Sequence, residues 1–477
     1  MRSQQKQFND SLDAGLFPQC VFTIVANNYL PYARALMKSV KAFTPNVRRV
    51  VFLCDRIQQG DNLSDGPHDD NDFEIVNVEE LGIDSLPSMA FNYSIVELCT
   101  AVKPFCFQHL LNQQAQQVVY LDPDINTYAS LDLVFDLLDN CNILLTPHLI
   151  SPVSDSKRPN EIDILRAGAY NLGFIGVSKN EESSRFLSWW SERLKTQCIA
   201  SPDKGLFVDQ KWIDLVPGLF EGVNISRHPG LNIAYWNLAQ RLIVRNHDDT
   251  LSVENEPVIF IHYSGINPGK KEFSRHQNRF DFGNLPDVIN DLATQYIQQL
   301  LDFGALKTKS DYQYGRFHCG HLIDDSMRLV FRESADAFEI KKFALDAPDF
   351  RHRLIEILNR PVQVSEQSKQ NLMITRLMFQ RYQSRDDLRK RYPDVFGADA
   401  YAFANWFILS SESDATVPQE CRLYVQRKLD AASSNKLKDN KFYLLNIYHK
   451  SPIIRRLILR VTSQESREKL LHLFKIK

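Results

Sequence analysis

Apolar runs with little polar alternation recur through the first half of the chain. They fall at residues 20–26 (CVFTIVA), 49–54 (RVVFLC), 73–78 (FEIVNV), 118–121 (VVYL), 142–146 (NILLT), 169–177 (AYNLGFIGV) and 258–261 (VIFI). Strands buried on both faces of an open sheet read in this way. Between the first two runs, Tyr32, Leu36, Val40 and Phe43 repeat at helical spacing behind Pro31, which suits a first helical turn. Residues 94–111 predict one helix, with Ser94 as N-cap, Glu97 as its capping-box partner and a kink at Pro104. A further helix carries Trp189 and Trp190. Strands alternating with helices imply a doubly wound α/β sheet whose ligand site lies along the carboxyl edge. Residues 56–72 are polar without a core pattern and predict a surface loop, and the Pro- and charge-rich residues 151–163 predict a loop bordering the site. Beyond about residue 300 the pattern is mainly helical.

The chemistry concentrates where the run 118–121 ends. Asp122 and Asp124 flank Pro123, which cannot donate to a β-ladder, so the chain leaves the sheet there. Two carboxylates at such an exit can bind a hard divalent cation and, through it, a diphosphate. They can equally cap a turn. A third reading is the nucleophile strand of an aspartate-based phosphatase, although Asn126 stands where that motif has Thr or Val. Asn27 and Asn28 follow the first strand onto the same edge, as nucleotide contacts or plain turn residues. Lys103 sits at the Pro104 kink, where it can meet a phosphate or simply be solvated. Gly173 and Gly176 permit close backbone approach. Asp209 and Gln210 form a polar pair in apolar surroundings, open to a structural hydrogen-bonding role. The last run delivers His262, a metal-ligand candidate or a structural histidine, with Gly265, Lys270 and Lys271 close behind.

Composition narrows the picture. With 477 residues the chain exceeds one ordinary core and predicts two or three domains. Its 44% hydrophobic fraction is that of a soluble globular protein, and a net charge of −2 gives no global reason to expect nucleic acid. Eight cysteines without a C-x-x-C pair read as reduced thiols of a cytosolic protein. No apolar signal core opens the chain and no apolar run is long enough to span a bilayer, so the expected location is cytoplasmic.

Taken in order, VANNY, YLDPDI, YNLGFI, FVDQKW and HYSG with lysines behind resemble a bacterial glycosyltransferase of the GT-A fold, similar to the family of glycogenin and the lipooligosaccharide galactosyltransferases. With TAVKPF, LTPH and NIAYWNL added, the chain is similar to a subgroup found with surface-polysaccharide genes. The resemblance spans about residues 21–271. It implies a Rossmann-like, doubly wound mixed sheet followed by a mainly α-helical region. It implies Mn²⁺ or Mg²⁺ held by Asp122, Asp124 and His262, bridging the diphosphate of a nucleotide-sugar donor. It implies donor contacts from Ala26, Asn27, Asn28, Lys103, Asp122, Asn171 and Gly265, with Lys270 or Lys271 clamping the diphosphate. Asp209 and Gln210 become the catalytic pair, Gln210 lying on the far face of the donor sugar of a retaining transferase. One departure is the covering loop, which the family commonly ends in Lys-Pro-Trp where this chain has Asn267-Pro268-Gly269-Lys270-Lys271.

The expected organisation is a transferase domain over 1–300 and a helical accessory domain over 301–477. Residues 366–391 and 392–407 resemble a segment of multidomain polysaccharide glycosyltransferases. At the end, Ile453, Ile454, Leu457, Ile458 and Val461 share one helical face, and residues 441–477 carry nine Lys/Arg against two Glu. Such a tail suits either an anionic membrane near a lipid-linked glycan acceptor or packing on the accessory domain. The expected activity is metal-dependent transfer from a UDP-sugar-type donor to a bacterial surface glycan. The alternative from another class is a non-catalytic GT-A module that binds glycan or scaffolds an assembly.

Overall fold

The structure, a computed structural model, describes residues 18–56, 73–270, 272–307, 312–317, 319–333, 348–362, 374–414 and 417–432. The expected loop beyond Arg56, Lys271, residues 366–373 and the basic tail 441–477 lie outside the described residues. The described residues fall into two compact units, one within 1–320 and one within 321–477. No helix among them is long and apolar enough to cross a membrane.

The first unit is built on a seven-stranded sheet. Its strands are β1 (Gln19–Val25), β2 (Arg48–Leu53), β3 (Glu74–Asn77), β4 (Gln117–Leu121), β6 (Ile143–Leu145), β7 (Phe174–Ser178) and β8 (Val223–Ile225). Their spatial order is β8-β6-β7-β4-β1-β2-β3, with β7 antiparallel to both neighbours and the other pairs parallel. This is a mixed, doubly wound sheet, as the alternation of strands and helices implies. β4 is buried at all five residues and ends at Leu121, one residue before Asp122. Phe22 of β1 pairs with Tyr120 of β4, so the turn after β1 and the turn after β4 leave from one carboxyl edge.

Helix α1 (Leu30–Phe43) buries Leu30, Ala33, Leu36, Met37 and Val40 against this sheet, close to the expected span. The expected helix 94–111 is two helices, α2 (Ile95–Ala101) and α3 (Lys103–Asn112). The Ser94–Glu97 capping box is present. Pro104 lacks an N–H and crowds the carbonyl four residues back, and the helix is interrupted at Val102 and restarts at Lys103. Residues 151–163 are not wholly loop, because α4 (Glu161–Ala167) begins there on an Asn160 capping box. The run 169–177 becomes strand only from Phe174. Asn171 accepts the Gly173 N–H at 3.1 Å, an Asx turn that takes residues 171–173 out of the ladder.

A second ribbon carries the carboxyl edge. β5 (Ile125–Thr127) pairs antiparallel with β9 (Phe260–His262), His262 standing opposite Ile125. On the other side of β9, Ile259 donates to the Gly230 carbonyl at 2.9 Å and His262 to that of Ile233 at 2.7 Å. A Cβ on Gly230 would lie 1.9 Å from the Pro257 carbonyl oxygen.

The second unit is helical in its described part, with helices Asp325–Glu333, Pro348–Asn359, Arg376–Ser384, Asp386–Arg391 and Ala400–Ser410. Leu354, Leu358, Leu377, Met378, Phe403 and Phe407 form its core, and Arg381 pairs with Asp324 and Asp414.

Gly230→Ala tests how firmly this packing holds β9. Backbone cannot yield as a side chain does, so the substitution is expected to lower the unfolding free energy by about 3 kcal/mol. Gly218→Ala, whose Cβ would meet nothing within 4 Å, serves as the control in urea denaturation.

Candidate functional site

Asp122 and Asp124 lie in the tight connection from β4 to β5, where Ile125 donates to the Asp122 carbonyl at 3.0 Å and Tyr263 to that of Asp124 at 2.9 Å. The β5–β9 ladder sets His262 beside them. Its Nε2 is 2.9 Å from Asp124 Oδ1 and 3.6 Å from Asp122 Oδ2. One atom from each of the three residues falls within a 4.8 Å cluster. Gly173 closes the site, since a Cβ there would sit 2.4 Å from His262 Cε1.

Desolvation pushes the Asp122 carboxyl above the usual carboxylate range, against the pull of Lys103 and His262. Burial works against charge on His262, but Asp124 and Asp122 outweigh it and hold its pKa above the ordinary imidazole value. Two carboxylate oxygens and one imidazole nitrogen this close together form a donor set suited to a divalent cation of Mn²⁺ or Mg²⁺ type. His262 is buried to 3% and its Nδ1 has no partner among the described residues.

Behind the triad lies a buried ion pair. Lys103, the first residue of α3, donates to Asp209 Oδ2 at 2.6 Å and to the Leu172 carbonyl at 2.9 Å. Its ammonium also stands 4.1 Å from the centre of the Tyr120 ring, and Tyr120 Oη donates to Asp122 Oδ1 at 2.5 Å. Burial pushes Asp209 above the usual carboxylate range, with Lys103 opposing. Lys103 is buried at the start of the helix that follows the break.

Next to the pair a cavity of about 680 Å³ opens, with Asn171 and Gln210 in its lining. Gln210 begins a 3₁₀ turn, and three bonds fix its amide: Oε1 accepts from Leu172 N–H at 3.0 Å and Asn171 Nδ2 at 3.4 Å, and Nε2 donates to the Ala167 carbonyl at 3.0 Å. Asn171 Oδ1 accepts from Asn232 at 3.1 Å. Ala26 and Asn27 are buried and Asn28 is half-buried in the turn after β1. Asn27 Nδ2 donates to the Arg56 carbonyl at 3.1 Å, while its Oδ1 has no partner among the described residues. Gly265 adopts φ +78°, a left-handed turn that favours glycine. Lys270 is exposed and does not line the cavity.

Several residues at the site were not singled out from sequence. Tyr120 anchors Asp122. Trp236 stands edge-on to His262 at 5.2 Å, and His148, also in the cavity lining, packs on Trp236. Burial lowers the His148 pKa to about 4. His148, Asn232 and Trp236 fall in the LTPH and NIAYWNL segments, so the signal was present without a residue attached to it. Arg275 lines the cavity with no motif to flag it.

No family model matches the chain. It is 33% identical over 226 residues to the uncharacterized protein YfnF of Bacillus subtilis (strain 168), covering 45% of this chain and 74% of YfnF. It is 25% identical over 204 residues to the uncharacterized protein YfnD of the same organism, covering 42% of this chain and 63% of YfnD. Among solved structures it superposes on the galactosyltransferase LgtC in complex with donor and acceptor sugar analogues, at TM-score 0.37 and 19% identity, over 61% of this chain and 98% of that one. It also superposes on a glycosyltransferase involved in glycosylation of the major capsid of PBCV-1, at TM-score 0.30 and 10% identity, over 52% and 94% of the two chains. At these scores the structural likeness is loose, and the chemistry rests on the site itself.

Lys103→Met would leave Asp209 buried without its cation, at an expected cost of about 3–5 kcal/mol. A carboxyl whose folded pKa is raised favours the fold below its unfolded pKa of about 4 and loses that contribution as pH rises through the folded value. The stability deficit of the variant is therefore expected to be largest near neutrality and to shrink as pH falls through the carboxylate range, as read by urea denaturation across pH.

Proposed function

Since the chain belongs to the family of the Bacillus subtilis protein YfnF, and its carboxyl edge joins a two-carboxylate, one-imidazole cluster to a cavity lined by fixed amides, we propose that it is a metal-dependent glycosyltransferase. The donor is a nucleotide sugar, a UDP-sugar by preference, and the acceptor a bacterial surface glycan of O-antigen or capsule type, free or lipid-linked. The observation that carries this reading is the cluster of Asp122, Asp124 and His262 beside the cavity of Asn171 and Gln210.

In this reading Asp122, Asp124 and His262 hold Mn²⁺ or Mg²⁺. Such an ion, when bound, acts as a Lewis acid on the departing nucleoside diphosphate. Ala26, Asn27 and Asn28 receive the nucleoside. Asn171 meets the sugar hydroxyls, and the Lys103–Asp209 pair stiffens the floor beneath them. Gln210 presents a fixed amide, which can stabilise an oxocarbenium-like state without being a strong nucleophile, and this supports retention of configuration. Its three bonds keep that amide from rotating as charge develops. The phosphatase reading leaves Gln210 and His262 without a task. A transferase domain over 1–300 and a helical accessory domain over 301–477, working at the cytoplasmic face of a membrane, complete the proposal.

Calorimetric titration with UDP-, GDP-, CMP- and dTDP-sugars, with Mn²⁺ and then with EDTA, tests it. One nucleotide class is expected to bind with Mn²⁺, and that binding to vanish with EDTA and in Asp124→Ala. A folded protein that binds none of them would sink the proposal in favour of a non-catalytic module.

A further inference from the structure

A diphosphate held at the triad brings negative charge that needs a protein cation as well as an ion, and the loop after His262 is where the sequence looks for it. Lys270 is exposed and is not part of the cavity lining. Its N–H donates to the Asn267 carbonyl at 3.1 Å in an exposed turn. The neighbouring Gly269 faces Leu306, whose Cδ2 would be 3.4 Å from a Cβ placed there. The chain then reverses, Asn267 pairing antiparallel with Glu272.

The returning segment comes back onto the site. A Cβ on Gly265 would lie 2.7 Å from His276 Cδ2 and 2.8 Å from Ser274 Oγ, so residues 274–276 rest directly on the turn that follows His262. Arg275, between them, is exposed and lines the cavity with Asn171 and Gln210. Among the described residues, three other cations around the site are already committed. Arg158 pairs with Asp163, Arg279 with Asp155, and Lys103 with Asp209. Among the described residues Arg275 has no carboxylate partner.

Its electrostatic neighbours say where its charge acts. Burial raises the phenols of Tyr29, Tyr32 and Tyr235; Asp124 pushes all three further, and Arg275 opposes it at each. Tyr29 belongs to the turn after β1, on the nucleoside side. Tyr235 belongs to the cavity, on the sugar side. A cation felt on both sides, on a segment resting on the turn after His262, suits the diphosphate that joins the two halves of a nucleotide sugar.

We propose that Arg275, not Lys270, binds and neutralises the diphosphate of the donor, through the two-pronged contact that a guanidinium makes with phosphate oxygens. The assignment rests on the glycosyltransferase reading above. It places the cation in the turn of the returning segment, eight positions past Asn267, where a search of the loop itself would pass over it.

The test is titration of the full chain with UDP, GDP, CDP and dTDP, and with the matching monophosphates, in Mn²⁺. The proteins compared are the unmodified chain, Arg275→Ala, Arg275→Lys and Lys270→Ala, each checked for an unchanged thermal unfolding midpoint. Arg275→Ala is expected to weaken the diphosphate that binds by about ten- to a hundredfold, the range of a lost charge-assisted contact, and its monophosphate by clearly less. Arg275→Lys should recover part of the loss, and Lys270→Ala should bind as the unmodified chain does. Equal affinity in Arg275→Ala, or a loss that follows Lys270→Ala instead, overturns the assignment and leaves the transferase reading standing. Failure of the folded, unmodified chain to bind any diphosphate overturns both.

Discussion

The geometry of the triad hangs on a three-residue antiparallel ladder. β5 and β9 are each too short to persist alone, yet their register decides which way the His262 side chain points. Side chains alternate along a strand, so a slip of one residue would turn the imidazole away from Asp124. The ladder is held from outside. Thr127 donates to Ser39 Oγ of α1 at 3.1 Å, Tyr128 and Tyr263 share a hydroxyl contact at 2.5 Å, and residues 230–233 pair with the far side of β9. A metal-type cluster drawn from distant parts of the chain is thus as rigid as the core packing around a minimal ribbon.

Charge balance is the second constraint. Carboxylates gathered in a poorly solvated place are tolerable only with cations near them. Lys103 is immobile, buried at 1% exposure, and answers to Asp209 first and Asp122 at a distance. His262 is titratable and answers to Asp124 and Asp122. Arg275 is exposed and has no carboxylate partner among the described residues. A buried, a proton-linked and an exposed cation thus stand around one acidic edge.

Much of this was legible in the sequence, for reasons that differ by element. β4 and its exit were plain because an unbroken apolar run followed by Asp-Pro-Asp leaves few alternatives. The capping box at Ser94 was plain because it is local. Pro104 was read correctly as a disturbance, but its strength depended on how α2 and α3 pack, which periodicity does not contain. Asn171 misled the strand assignment because an Asx turn looks like one more residue of a β-rich run. Asn27 and Asn28 fell on the expected edge through strand order alone. The parts that stayed hidden, Tyr120 as an anchor, Trp236 against His262, Asn232 on Asn171 and Arg275 in the turn beyond Ser274, depend on how separate segments meet, and no local pattern marks them.

The absence of a side chain at Gly173 has a consequence for reading other chains. The space beside the imidazole is already filled by the ring itself, so an alanine there and an intact His262 cannot coexist in this arrangement. One backbone position thus offers a test for any other chain: one that carries the two aspartates and the histidine but has a larger residue at the place of Gly173 must hold its imidazole elsewhere, and so cannot present the same cluster, however well its other motifs match.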